Sequence, residues 1–206
     1  MNVATLLKLA VAAAIVVSTY YAILEIAEAK ADGLAGRQTF VLDARSAPET
    51  AAFAELLVRL RAWGEDELVA SLATLRDSGQ IRVAPRLGGG RSAVYVNALG
   101  LVKRIYLRRD DLVVRRLPFP DLDVAERAQR TYVAIRLAGT LVHELQHYEG
   151  VEDENAAYER EIEWYHALGD RGAERVVGDA RPEFVWALAS ALASAEAARE
   201  KAVHAP

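Results

Sequence analysis

Between Pro120 and Gly150 the chain runs without a proline, and Ala128, Tyr132, Ile135, Gly139 and Val142 mark one stripe at helical spacing. The pattern predicts a single long helix from about Leu122 to Tyr148, with Asp121 or Asp123 as its cap. The rest of the chain is organised around it. Near its end stands His143-Glu144-Leu145-Gln146-His147. Residues four apart on a helix lie one turn above each other, so His143 and His147 can share one metal ion. Two of the chain's four histidines are spent here. Glu144 is rotated off the ligand face, where a carboxylate can hold and deprotonate a metal-bound water.

Composition narrows what that ion can be bound by. With no cysteine there are no disulfides, no thiolate ligands and no cysteine nucleophile, so His, Asp and Glu must supply the donors. At 206 residues, 52% of them hydrophobic, the chain suffices for one domain with a sizeable core plus an appendage. A net charge of -4 gives no general attraction to nucleic acid. Arginines are dense between Arg82 and Arg116, but no aromatic stacking platform accompanies them. They read as the solvated face of a half-covered sheet, and no nucleic-acid partner is expected.

The appendage is N-terminal. Over residues 3–24 Lys8 is the only charge, and as a helix the stretch spans about 33 Å, enough for a bilayer core. The segment reads as a transmembrane signal-anchor or a signal peptide, since Ala27-Glu28-Ala29 and Ala29-Lys30-Ala31 are A-x-A-like cleavage sites. Residues 1–29 are thus set apart from a domain at 30–206. That domain is expected outside the cytoplasm, membrane-anchored through the helix or secreted or periplasmic after cleavage.

Past a linker and a short extended piece at Thr39–Leu42, Ser46 and Glu49 have the spacing of a capping box. Phe53, Leu56, Leu57 and Leu60 follow on one helical face. A second helix from about Glu65 to Asp77 buries Leu68, Val69, Leu72 and Leu75. Period-two alternation then begins at Ile81. Strands are expected at 81–87, 92–97 and 101–109, with a fourth over Leu112–Leu117. Their short connections, at Gly88-Gly89-Gly90, Gly100 and Asp110-Asp111, predict an antiparallel meander. Pro118 and Pro120 end it. The expected class is α+β: a small antiparallel sheet packed on helices, a long helix bearing the histidines, and an N-terminal transmembrane or signal helix.

Two histidines make half a site, and catalytic zinc takes three protein ligands. If the long helix continued, Glu154 would lie about 10 Å beyond His147 along the axis, out of reach. The helix must break, and Gly150 is placed to end it. A new helix would then run from about Asp153 to Leu168, followed by a loop at Gly169–Ala180 and a last helix from near Pro182 to about Val203. Candidates for the third ligand are Glu154, Asp153, Glu152 and His166, with the acidic residues after Tyr158 behind them.

His143-Glu144-x-x-His147, followed by Glu154-Asn155-Ala156-Ala157, resembles the gluzincin-type zinc metallopeptidases. In that family H-E-x-x-H binds zinc and a Glu on a second helix, often as E-x-x-A, completes the site. The resemblance implies Zn2+ held by His143, His147 and Glu154, a peptide or protein substrate, and Glu144 as the base that takes the proton of the attacking water. It further implies an edge strand pairing with the substrate, for which Leu101–Arg109 and Leu112–Leu117 are the candidates. The spacing from His147 to Glu154 is shorter than most of those families use. His143 to Asp153 also fits H-E-x-x-H-x-x-G-x-x-D, a metzincin-like pattern, but the only methionine is Met1, so no Met-turn is present. Tyr158 and His166 are the candidates for stabilising an oxyanion. The rival class is a membrane-tethered, non-catalytic binding or structural protein with a structural or degenerate metal site.

Overall fold

In the computed structural model, residues 3–34, 39–43, 46–87, 91–113, 124–176 and 180–204 are described. The elements are α1 (Val3–Leu34), β1 (Phe40–Val41), α2 (Ala47–Ala62), α3 (Asp66–Asp77), β2 (Ile81–Ala84) and β3 (Ala93–Ala98). They continue as β4 (Val102–Arg108), α4 (Arg109–Val113), α5 (Val124–Glu149), α6 (Glu154–Arg175) and α7 (Ala180–Val203). The class is α+β, as expected. The turn at Gly88–Gly90, the prolines at 118 and 120 and the caps at 121 and 123 lie outside the described residues.

The sheet departs from a meander. Its order is β1-β2-β4-β3, with β2 parallel to β4 and the other pairs antiparallel. Leu99 and Gly100, both with positive φ, turn β3 tightly back into β4. The connection from β2 to β3 is longer, so the hairpin swings over and inserts β4 next to β2. This leaves β3 at the edge. The expected fourth strand is instead α4 as far as Val113, and the remainder of 112–117 lies outside the described residues.

Alternation along the strands serves two covered faces rather than one. Ile81, Val83, Ala93, Ile105 and Leu107 point into the main core with Phe53, Leu60, Leu72, Ile135 and Leu141 from α2, α3 and α5. On the opposite face Val96, Ala98, Val102 and Tyr106 pack against Leu24, Ala27 and Ala31 of α1. Arginines expected in solvent lie on that covered side. Arg104 is buried and bonds Glu28 at 3.0 Å and Asp32 at 3.4 Å, Arg82 reaches Asp32 at 3.2 Å, and the Tyr106 hydroxyl donates to Asp32 at 2.7 Å. Lys103, Arg86 and Arg91 stay exposed.

α1 therefore continues well past the apolar run. Among the described residues no helix is long and apolar enough to cross a membrane, and the side chains before residue 13 lie outside that set. Ser46 is the N-cap of α2 without forming the capping box. Its hydroxyl donates to the carbonyls of Val41 and Asp43, and Glu49 is buried against Arg109 at 2.6 Å. α6 extends to Arg175 across the expected loop. Gly169 and Gly172 are not breakers but contact points, where a β-carbon would meet Leu188 and Phe184 of α7.

Arg104→Ala strips two carboxylates of their buried cation. A loss of about 2 kcal/mol is expected, as a lower urea midpoint, with faster tryptic cleavage at exposed Lys30 as α1 loosens. Burial and the Asp32 hydrogen bond push the Tyr106 phenol up to about 12. The unfolded chain releases that proton near pH 10. Between those values the native state holds more protons, so this stabilisation is intact below pH 10 and is lost as pH rises toward 12. Tyr106→Phe should flatten the stability profile over that interval.

Candidate metal centre

The site forms because α5 stops where it does. Gly150 takes φ +106, a region that favours glycine, and the two amides after the helix turn back on it. Gly150 N–H bonds the His147 carbonyl at 3.1 Å and Val151 N–H bonds that of Gln146 at 2.9 Å. This paired closure is the Schellman arrangement. Asp153 then caps α6, accepting the Asn155 N–H at 3.0 Å, and it lies outside the group of possible metal ligands among the described residues. Glu154 opens α6 and faces back to the histidines. Ala157, fully buried one turn later, lets the two helices close together.

His143, His147 and Glu154 form a group able to hold a metal ion, with one ligand atom from each within 4.8 Å of the others. The two Nε2 atoms are 3.2 Å apart. Glu154 places Oε1 3.4 Å from that of His143 and Oε2 3.1 Å from that of His147. A tetrahedral ion with bonds of about 2.0–2.1 Å spaces its ligand atoms about 3.3–3.4 Å apart, close to the separation of the two ring nitrogens, while the carboxylate meets each ring with a different oxygen.

Protonation is set from behind. Nδ1 of His147 lies 2.7 Å from the Val151 carbonyl, which can only accept, so the proton resides on Nδ1 and Nε2 presents its lone pair. Nδ1 of His143 is buried without a hydrogen bond, but the carboxylate of Glu161 lies 3.5 Å away. The two Nε2 atoms and a carboxylate thus meet at one place, a donor set that a cation would satisfy. Burial lowers the basicity of His143, yet Glu161, Glu144 and Glu154 together outweigh it, and the net displacement is upward.

Glu144 sits off the ligand face, as its position on the helix requires. It is buried, and its Oε2 accepts the Tyr95 N–H of β3 at 2.6 Å. Burial pushes its carboxyl up, against His143 and that hydrogen bond, which favour the anion. Its Oε1 has no hydrogen bond among the described residues. Edge strand β3 and α5 thus form two walls of one cleft of about 460 Å³, lined also by Tyr158 and Glu161. Tyr158 lies on His143, with ring centroids 4.4 Å apart. His166 and Glu152 are exposed and outside the group.

Glu161 was legible only as one more acid in a run. Its place follows from helical repeat: Glu154, Tyr158 and Glu161 share a face of α6, and Tyr165 extends it. The buried Tyr165 hydroxyl donates to Glu161 at 3.0 Å. It fits against α5 because residue 139 is glycine; a β-carbon there would run into the phenol. Gly139 therefore admits a side chain rather than another backbone.

The chain matches no protein-family model, no curated protein and no solved structure in comparisons with known proteins. The functional reading rests on this geometry. Glu161→Ala should weaken metal binding about 10–100-fold, measured by competition with a chelating dye, while Glu161→Gln keeps part of the affinity.

Proposed function

We propose that the protein is a zinc-dependent metallopeptidase of gluzincin-like design. The observation that carries the reading is the convergence of His143 Nε2, His147 Nε2 and the Glu154 carboxylate in one group able to hold a metal ion. Glutamate at position 144, beside this group, is what a hydrolase needs and a purely structural pair of histidines does not.

A bound zinc ion would supply Lewis-acid polarisation of the scissile carbonyl and of the attacking water. The chain's own residues do the rest. His143 and His147 would hold the ion through Nε2 together with Glu154, with the Val151 carbonyl orienting the His147 ring and the Glu161 carboxylate beside Nδ1 of His143. Glu144 takes the water's proton and returns it to the leaving amine, and its raised carboxyl pKa suits both transfers. Tyr158, beside His143 in the cleft, is the group placed to steady the oxyanion.

Substrate pairing belongs to β3. Both sides of β4 are occupied, by β2 and β3, so it cannot pair with a peptide. β3 is an edge, and its Ala93, Val94 and Tyr95, with Ser92 just before it, line the cleft. The Tyr95 amide points outward, and alternation places those of Ala93 and Asn97 on the same side for an extended peptide.

The N-terminal helix is best read as an uncleaved anchor holding the domain outside the cytoplasm. Ile15, Val16, Val17, Tyr20 and Tyr21 are exposed on α1, while cleavage at either A-x-A-like site would remove Ala27 from the sheet it packs on. One observation favours the non-catalytic alternative: Glu144 already serves a structural bond to Tyr95.

Glu144→Gln separates the two. As an enzyme, the zinc-loaded variant retains stoichiometric metal and loses casein or peptide hydrolysis by about a hundredfold or more. Full zinc occupancy with no Glu144-dependent cleavage would place the protein in the non-catalytic class, and absence of zinc binding would sink both.

A further inference from the structure

Beyond the metal the cleft continues along α5, past Thr140 to Arg136, with Tyr165, Ser194, Ala195 and Ala198 opposite. α7 turns small side chains toward this end, which keeps it open. Arg136 and Arg91 are the only cationic side chains lining the cleft, and both are exposed. Neither has an ion-pair partner among the described residues. Arg59, Arg109, Arg127 and Arg171 all do, in a chain with 29 acidic and 25 basic residues.

The carboxylates of the cleft are already engaged: Glu154 is on the histidines, Glu144 on Tyr95, and Glu161 on Tyr165.

We infer that the cleft selects a peptide bearing a carboxylate near the scissile bond, received by Arg136 with Arg91 assisting from the β3 side. This rests on the metallopeptidase reading and names its substrate class. Arg136 precedes His143 by two helical turns, about 10.5 Å along the axis, while an extended peptide advances about 3.3 Å per residue. The carboxylate therefore lies within about three residues of the bond cleaved. It comes from a Glu or Asp side chain or from the peptide's C-terminus. A guanidinium recognises either through paired N–H donors.

The test uses the zinc-loaded full chain and quenched fluorescent peptides in which one Glu or Gln is moved through the three positions on each side of the bond. Each is made with a free and an amidated C-terminus. The same peptides are titrated onto Glu144→Gln, so that binding is read without turnover. Expected is a preference of about tenfold in KM for the carboxylate-bearing peptide, with kcat little changed, reduced by salt. Arg136→Ala abolishes that preference at unchanged zinc content, and Arg136→Lys restores part of it. A preference that follows the Glu position assigns a side-chain carboxylate; one that follows the free terminus assigns a C-terminal one. Equal handling of Glu and Gln peptides, free or amidated, overturns the inference, as does a preference that survives the Arg136→Ala, Arg91→Ala double variant. Carboxylate-selective, Arg136-dependent binding without hydrolysis supports the selectivity and defeats the peptidase reading. Hydrolysis without selectivity does the reverse.

Discussion

The corner at Gly150 is the constraint on which the site depends. A left-handed residue closes α5 with two backbone hydrogen bonds, and three residues later Asp153 starts α6. That reversal brings a carboxylate seven positions from His147 to within 3.1 Å of it. The same closure leaves the Val151 carbonyl on Nδ1 of His147, so the residue that follows the turn also fixes the tautomer of the ring that precedes it. Termination, orientation and ligand supply are one local event. α6 then repeats its face upward, from Glu154 through Glu161 to Tyr165, and Gly139 gives that last ring its seat on α5.

The second wall of the site depends on a different interaction, the burial of both sheet faces. Tyr95 reaches Glu144 only because β3 lies at the open edge, with α5 against one face and α1 against the other. The α1 contact is small-residue packing of Ala27 and Ala31, reinforced by Glu28 and Asp32 on Arg104, Arg82 and Tyr106. Ion pairs in that layer are partly shielded and share a hydrogen-bonded centre, so they resist salt better than isolated surface pairs. The N-terminal helix and the edge strand that lines the cleft are thereby parts of one packed unit.

Much of this was legible in the chain. The spacing of His143 and His147, the absence of proline before Gly150 and the E-x-x-A setting of Glu154 are local patterns, and local patterns determine helices and their ends. Topology was not. Alternation in 81–109 identifies strands but is silent on which are neighbours, and a connection long enough to skip one position turned a meander into a sheet with a parallel pair. Arginine density misled for a related reason: composition suggested solvent, whereas Arg82 and Arg104 needed Asp32, 50 and 72 positions away in sequence, to be recognised as partners in a covered layer. Glycine at 139, 169 and 172 reads as a weakness in helix propensity. Only the rings of Tyr165 and Phe184 and the side chain of Leu188 show that each marks a close approach.

Charge within the cleft is of both signs. Three carboxylates crowd the histidine end, which would repel an anionic substrate if nothing countered them. The ligand carboxylate is exposed and sits on the histidines; the other two are buried and already accept hydrogen bonds, one from the Tyr95 amide and one from the Tyr165 phenol. Their charge is directed inward, toward the positions that hold the rings and the proton. Arg91 and Arg136 are exposed along the same cleft, without ion-pair partners among the described residues. On the proposed reading a neutral peptide would gain little from those cations, whereas a carboxylate near the bond to be cleaved would pair with them.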